Sequence, residues 1–116
     1  MDNKEPYSSE KVSKLLLVPA KALGYSSRLN LSFRLNLPQA LPAKSGRARD
    51  YRGLAELMKI PNEKAKTFEL SNDPTMKILN EWELNPNASI GQLIKFLEEM
   101  ERYDIITDVF PLFGEL

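Results

Sequence analysis

The pattern of apolar and polar positions between Asp73 and Asp104 predicts two amphipathic helices, each with its own start signal. Asp73 is a good N-cap residue, and Pro74 follows at the first helical position, where its missing N–H and fixed φ suit a helix. Ser89 and Gln92 have the spacing of a capping box at the start of the second helix. Apolar residues recur behind these signals at helical spacing: Ile78, Leu79 and Trp82 in the first helix, and Ile90, Leu93, Ile94, Leu97 and Met100 in the second.

Three further segments have helical patterns. Asp50 is the N-cap of a predicted helix that ends before Pro61. A short helix is predicted from Asn62 to Leu70, because Ala65 and Phe68 share one side. The last predicted helix precedes Pro111. The apolar residues of the first and last of these helices are Tyr51, Leu54, Leu57 and Met58, and Ile105, Ile106, Val109 and Phe110.

The segment from Val18 to Leu37 gives conflicting signals. Leu29, Leu31, Phe33, Leu35 and Leu37 alternate with polar residues, which is the period of a strand. An isolated strand cannot satisfy its backbone, and the rest of the chain predicts no partner for it. The pattern alone therefore leaves helix and strand open here.

Composition indicates one globular domain. The chain has 116 residues, of which 42% are hydrophobic and 28% charged, enough for a single modest core. Residues 1–17 are predicted to be a disordered N-terminal leader, because most of them are polar and lack a pattern. The apolar run from Leu15 to Val18 is too short for a signal sequence or a membrane span. With no Cys, the chain has neither disulfides nor thiolate chemistry.

Charge is distributed unevenly along a chain whose net charge is zero. Residues 1–58 contain ten Lys and Arg against five Asp and Glu, a net charge of +5, so the remainder has −5. Opposite charges on two parts of one small domain favour head-to-tail self-assembly. Uneven solvated surfaces are the simpler interpretation of the same pattern.

The residue types argue against an enzyme. The chain lacks His and Cys, which supply the commonest bases, nucleophiles and metal ligands. Neighbouring acids such as Glu98 and Glu99 are typical of a solvated helix side, so no cofactor or metal is expected. A basic cluster with an aromatic residue leaves nucleic-acid binding as an alternative, although the neutral charge of the chain disfavours it; its residues are Lys44, Arg47, Arg49, Tyr51 and Arg52.

Several motifs resemble one family. They are Asp73-Pro74-Thr75, Leu79, Trp82, Pro86, Ala88-Ser89-Ile90-Gly91, Leu93, Leu97, Arg102 and Asp104, with Leu29, Leu31, Leu35-Asn36, Asp50-Tyr51, Leu54-Ala55-Glu56 and Met58 upstream. This pattern is similar to the death domains of the myeloid differentiation primary response adaptors, which act downstream of Toll and interleukin receptors. It covers roughly Val18 to Pro111. Tyr51 stands where the family usually has Trp, Asn80 where it usually has an acid, and the loop from Pro38 to Arg47 is longer than usual.

The resemblance implies an all-α fold, a compact bundle of six short antiparallel helices over residues 18–113. The segment from Val18 to Leu37 becomes the first helix, bent near Gly24 to Ser27. The implied function is a cytoplasmic adaptor of innate immune signalling. Expected partners are further copies, receptor-associated or Pelle-type kinases and a Tube-type adaptor, in homo- or hetero-oligomers, with no nucleic acid and no membrane. A death domain of such a kinase, or of another receptor, is the alternative. In this adaptor family a Toll/interleukin-receptor domain would follow Leu116.

Ten residues are predicted to bind partners. Arg47, Arg49 and Arg52 precede or begin a helix, where cations oppose the helix dipole, so an external role is expected, with Arg52→Glu weakening assembly at little cost in stability. The other residues are implied by the resemblance, which assigns two regions to opposite sides of a recurring contact; Arg102 could instead pair locally with Glu98. They are Glu56, then Glu81, Glu83 and Asn87 in one region, and Arg102, Tyr103 and Asp104 in the other.

Overall fold

Helices alone form the secondary structure of residues 9–109, the part of the chain that the computed structural model describes. This range contains no strand, which confirms the all-α prediction, and measures 38 × 30 × 22 Å. The seven α-helices are α1 (Ser9–Leu15), α2 (Tyr25–Leu35), α3 (Tyr51–Leu57), α4 (Asn62–Glu69), α5 (Pro74–Trp82), α6 (Ile90–Glu99) and α7 (Tyr103–Val109), with a 3-10 helix at Ala20–Ala22 between the first two.

The core is built around α5 and α6. Helix α5 contacts α2, α3 and α4, while α6 contacts α1, α3 and α7. The rings of Trp82 and Phe96 join the two central helices, with centroids 6.0 Å apart in an edge-to-face arrangement. The apolar side predicted for each of these two central helices is the buried one: Ile78, Leu79 and Trp82 of α5, and Ile90, Leu93, Ile94 and Leu97 of α6.

The predicted helix starts are confirmed. The Asp73 carboxylate accepts from the Met76 N–H at 3.1 Å, and the Ser89 hydroxyl accepts from the Gln92 N–H at 3.2 Å. Asp50 likewise accepts from the N–H of Arg52. The capping box at Ser89 is formed in one direction only, because the buried Oε1 atom of Gln92 has no hydrogen-bond partner.

The N-terminal region differs from the predicted disordered leader. Residues 9–15 form α1, and Val12 and Leu15 are buried against α6. The backbone of α1 comes so close to Gly91 that a Cβ atom there would lie 2.5 Å from the Leu16 nitrogen. The leader's first eight residues lie outside the described range, as does Phe110 at the end of the predicted last helix.

A short backbone pairing continues this attachment. The N–H of Ala20 donates to the Ala88 carbonyl at 3.0 Å, and the N–H of Ile90 donates to the Val18 carbonyl at 2.9 Å. Pro19 and Ser89 form an isolated bridge between them. The first residues of the predicted Val18 to Leu37 helix are thus extended and fixed to the start of α6.

The first helix predicted from Val18 to Leu37 is shorter than expected, because only Tyr25–Leu35 is α-helical. The break lies at Leu23 and Gly24, at the start of the predicted bend, and Ser26 and Ser27 already belong to α2. The 3-10 helix ends at Ala22, and the chain passes through extended Leu23 and Gly24 before α2 begins. The alternating pattern arises because α2 has apolar residues on two sides. Leu31 and Leu35 are fully buried, whereas Leu29 and Phe33 are exposed.

Asn36 joins the end of α2 to the start of α5. Its Nδ2 donates to the Asp73 carboxylate at 2.9 Å, while its Oδ1 accepts from the Thr75 N–H at 2.9 Å and from the Thr75 hydroxyl at 2.6 Å. Asp73 therefore caps α5 and anchors α2 at once. The Leu35-Asn36 and Asp73-Pro74-Thr75 motifs are thus two parts of one contact.

Candidate partner-binding surfaces

The residues predicted to bind partners lie at the two ends of α6. We call the group around its C-terminal end the arginine end, and the group before its N-terminal end the acidic end. Ten helical residues rise about 15 Å, which separates the two along the axis of α6. The arginine end contains Arg47, Arg49, Arg52, Glu56, Arg102, Tyr103 and Asp104; the acidic end contains Glu81, Glu83 and Asn87.

Arg49 binds the end of α6. Its Nε donates to the Met100 carbonyl at 3.2 Å, and its Nη2 donates to the Glu101 carbonyl at 2.9 Å. Both carbonyls follow the last turn of α6, where a cation interacts favourably with the helix dipole. The prediction that helix stability does not explain Arg49 is therefore wrong. The charge of Arg49 opposes the dipole of α3 but interacts favourably with the dipole of α6.

Arg102 is buried, with 6% of its surface exposed. Its Nη1 donates to the Arg49 carbonyl at 2.5 Å, and its Nε and Nη2 each donate to the Asp104 carboxylate at 3.1 Å. Burial raises the pKa of Asp104, but the bonds from Arg102 outweigh it, so the pKa lies below its ordinary value. The predicted contact of Arg102 with an acid of a neighbouring copy is thus corrected, because its guanidinium is engaged within the chain.

Arg52 forms a two-point ion pair with Asp50. Its Nε and Nη2 donate to the two carboxylate oxygens at 2.9 and 2.6 Å. Asp50 is fully buried and also accepts from the Gln39 N–H at 2.9 Å. Burial raises the pKa of Asp50, but the bonds from Arg52 and Gln39 outweigh it and set that pKa below its ordinary value.

This pairing changes the expectation for Arg52→Glu. Half of the Arg52 side chain is exposed, yet a carboxylate in its place would face the buried charge of Asp50. We now expect this substitution to lower stability, so it cannot test assembly alone.

Arg47 links three elements at the surface. Its Nε lies 3.3 Å from Glu56 of α3, and its Nη1 lies 3.0 Å from Glu99 of α6. Both acids are more than half exposed, so these pairs contribute little to stability. Tyr103 and Asp104 are also exposed beside them. Arg47, Glu56, Tyr103 and Asp104 are therefore accessible to a partner.

The acidic end is paired as well. Glu83 forms an ion pair with Arg28, whose Nε also donates to the Leu23 carbonyl at 2.8 Å. Glu81 accepts from the Nζ of Lys64 at 2.7 Å. Asn87 is exposed in the connection to α6. Sequence reasoning missed Arg28 and Lys64 as members of this surface, because no local pattern links residues so distant in the chain.

The folded chain pairs its basic half with its acidic half. Arg28 and Glu83 are 55 residues apart in sequence, Arg47 and Glu99 are 52 apart, and Arg34 bonds Asp108 across 74 residues. Three arginines of the basic half are therefore paired with acids of the acidic half within one molecule. The arginines of the basic cluster considered for nucleic-acid binding are also engaged within the molecule. Arg47 and Arg52 donate to acids, and Arg49 donates to a backbone carbonyl.

Within residues 9–109, no helix is long and apolar enough to cross a bilayer, and no group of acidic side chains has a metal-binding arrangement. A comparison with known protein families gives a match. The family model described as "Death domain" matches residues 34–110, roughly two-thirds of the chain. The match begins in the last turn of α2 and includes α3 to α7, with both ends of α6.

Proposed function

We propose, from the premise that this chain belongs to the death-domain family, that it is the death domain of an adaptor in Toll and interleukin receptor signalling. Death domains are interaction modules, not enzymes, and bind other death domains. The proposal adds a pathway and a set of partners to that general role. It places the domain in the cytoplasm, in innate immune signalling.

One observation carries the adaptor proposal: the motifs that resemble the adaptor family make the contacts that join the helices. Asn36 bonds Asp73 and Thr75 between α2 and α5. Gly91, from the Ala-Ser-Ile-Gly motif, allows the close approach of α1 to α6. The residues that carry the resemblance therefore have structural roles in this chain, which supports the resemblance over a chance match of residue types.

The proposed partners are other copies, receptor-associated or Pelle-type kinases and a Tube-type adaptor. In the proposed contact, the arginine end of one domain faces the acidic end of the next. Such a head-to-tail contact uses two different surfaces, and repeated contacts build either a closed ring or an open helical assembly. A death domain of a Pelle-type kinase, or of another receptor, is the alternative.

The ten residues take two roles in this proposal. Arg49 and Arg102 position the end of α6 and do not touch the partner. Arg52 shapes the surface through Asp50. The groups that meet across the contact are Arg47, Glu56, Tyr103 and Asp104 on one side, and Glu81 and Asn87 on the other. Glu83 is largely buried in its ion pair with Arg28 and supports the acidic end from within.

The pathway is tested by co-expression with candidate death domains and measurement of complex mass by size exclusion with light scattering. We expect a defined complex with a Pelle-type kinase or Tube-type death domain. Binding only to the death domain of an unrelated receptor would overturn the pathway assignment.

The contact is tested by charge exchange at accessible residues. Arg47→Glu should abolish assembly, and mixing it with Glu81→Arg should restore a joint complex, because the exchanged charges again attract. Lys95→Glu is the matched control, as Lys95 is exposed on α6 between the two ends. Assembly by Arg47→Glu at wild-type affinity, with a normal circular dichroism spectrum, would remove this contact from the proposal.

A further inference from the structure

Helix α2 and the residue pair after it present an apolar side to solvent. Four apolar residues recur there at intervals of four, so they form one ridge; this α2 ridge consists of Tyr25, Leu29, Phe33 and Leu37, which are 70, 43, 74 and 53% exposed. The opposite side contains Leu31 and Leu35, which are fully buried against the core. A helix that is apolar on two sides is typically covered on both.

The size of the ridge fits the centre of a protein interface. Two aromatic side chains exposed to this extent present roughly 250–300 Å². The two leucines add roughly 100 Å². This area follows from dividing about 1.5–3 kcal/mol for burial of a whole leucine side chain by about 25 cal/mol per Å², and scaling by the exposed fractions of Leu29 and Leu37. A two-fold contact would bury this area twice, about 800 Å² in all, and would reach the lower limit of specific interfaces, near 1,200 Å², with about 200 Å² more from the flanking residues of each copy.

The order of residues makes the ridge complementary to itself. We propose that it is a self-association surface on which a second copy of this chain docks, with the two α2 helices antiparallel about a two-fold axis. With the axis at the level of Leu31, Tyr25 faces Leu37 of the second copy and Leu29 faces Phe33. Each aromatic ring then meets a leucine, which allows large and small side chains to interdigitate.

The charges beside the ridge permit this arrangement. The basic residues of α2 are Arg28 and Arg34, and the same axis places them opposite each other. Each is paired within its own molecule, Arg28 with Glu83 and Arg34 with Asp108 at 2.6 Å. Their repulsion is therefore largely cancelled. The same pairing disfavours a lipid surface, because helices that lie on membranes use cations to bind anionic lipids.

This surface goes beyond the proposed contact between the arginine and acidic ends. Those ends lie at the two termini of α6, whereas the ridge belongs to α2 and contributes none of the ten residues. The dimer is symmetric, while the other contact is head-to-tail. Each interface is thus tested by variants that leave the other intact.

The first experiment measures the mass of the 116-residue chain by sedimentation equilibrium. We expect a concentration-dependent shift from 13.2 kDa towards twice that value. Phe33→Glu should weaken dimerisation at least tenfold, because it buries a charge among apolar groups. The matched control is Leu70→Glu, since Leu70 is 88% exposed outside the ridge, and it should dimerise as wild type does.

A cross-linking experiment tests the antiparallel geometry. The natural chain has no Cys, so introduced pairs can be read directly. Tyr25→Cys mixed with Leu37→Cys should form a disulfide-linked dimer on mild oxidation. Tyr25→Cys alone should cross-link poorly, because twelve residues separate positions 25 and 37 and place the two thiols about 18 Å apart.

The results separate this inference from its alternatives. A monomer at all concentrations, or equal loss of dimer in Phe33→Glu and Leu70→Glu, overturns the ridge as a self-association surface. Efficient cross-linking of Tyr25→Cys with itself overturns the antiparallel arrangement. Loss of Pelle-type partners in the co-expression assay, with the dimer unchanged, would count against the proposed function alone.

Discussion

The two ends of α6 are attached to the rest of the domain by different physical means. At the N-terminal end, Gly91 allows the backbone of α1 to approach within a distance that no side chain would permit. At the C-terminal end, Arg49 and Arg102 fill the space with charge and hydrogen bonds to carbonyls. One attachment depends on shape and the other on ionisation.

This difference teaches where the domain is sensitive to its surroundings. Close packing of apolar groups at the glycine responds little to salt or acid. The network at the arginine end depends on the charges of Asp50 and Asp104, whose pKa values lie below their ordinary values. Substitutions at one end should therefore change stability at every pH, and those at the other should change its pH dependence.

Gly91→Ala is the strongest test of attachment by shape. The new Cβ would lie 2.5 Å from the Leu16 nitrogen and 2.7 Å from the Val12 carbonyl oxygen, both backbone atoms that cannot rotate away. Helix α1 must move, so burial of Val12 and Leu15 is reduced. We expect a loss of about 3 kcal/mol in urea unfolding, within the range for burying two aliphatic side chains.

The control for this glycine is Gly24→Ala. Gly24 is the N-cap of α2, and a Cβ atom there would meet no atom within 4 Å. We expect a loss of at most about 1 kcal/mol, because glycine is a better N-cap residue than alanine. Equal stability of the two variants would show that α1 contributes little to the domain.

Local signals explain how much of this fold could be predicted. The starts of α5 and α6 depend on Asp73 and Ser89, whose caps act within three residues. Helix α1 was missed because its packing depends on Gly91, far away in the chain. The period of α2 was ambiguous because Phe33 and Leu35 are apolar for different reasons, one exposed and the other buried.

The candidate surfaces were harder to predict than the helices. A cluster of arginines in sequence does not reveal its partners: Glu99 and Met100, which Arg47 and Arg49 contact, lie about fifty residues later. Arg102 was expected to be accessible, but its position after α6 buries it beneath Arg49. Tertiary structure decides which charged side chains face solvent, and a local sequence pattern does not reveal contacts between distant parts of the chain.

Arg102→Gln tests attachment by charge. Glutamine removes the two bonds to Asp104 and the charged bond to the Arg49 carbonyl, leaving that partly buried acceptor without its charged donor. We expect a loss of about 2–3 kcal/mol at neutral pH in thermal or urea unfolding. A change in the free energy of unfolding below about 0.5 kcal/mol would mean that water replaces the guanidinium without loss of stability. The network would then not hold the end of α6 to the rest of the domain.

Asp50→Asn distinguishes the two ends by their response to acid. Both carboxylate oxygens of Asp50 accept hydrogen bonds, so an amide NH₂ would face a donor from Arg52 or Gln39. We expect a loss of roughly 2 kcal/mol at pH 7. Gly91→Ala should show the same acid sensitivity as wild type, because it leaves this carboxylate unchanged.

The sign of the pH dependence follows from the lowered pKa of Asp50. Its stabilising effect is complete above the unfolded pKa, near 4, and is lost as pH falls through the lower folded pKa. Wild-type stability should therefore decline steeply below about pH 4. Asp50→Asn should decline less, although Asp104 retains a dependence of the same direction. Parallel curves for both proteins would contradict this assignment.

Arg47→Gln should have the smallest effect on stability and thereby sharpens the distinction between attachment and binding. Its ion pairs with Glu56 and Glu99 are at the surface, with both acids more than half exposed. We expect a loss below about 1 kcal/mol, reduced further by salt. The same variant should weaken complexes with other death domains, because Arg47 remains accessible while Arg49 and Arg102 are committed to α6. A stability loss as large as that of Arg102→Gln would make Arg47 a third part of the attachment, and partner binding would then need other residues of the arginine end.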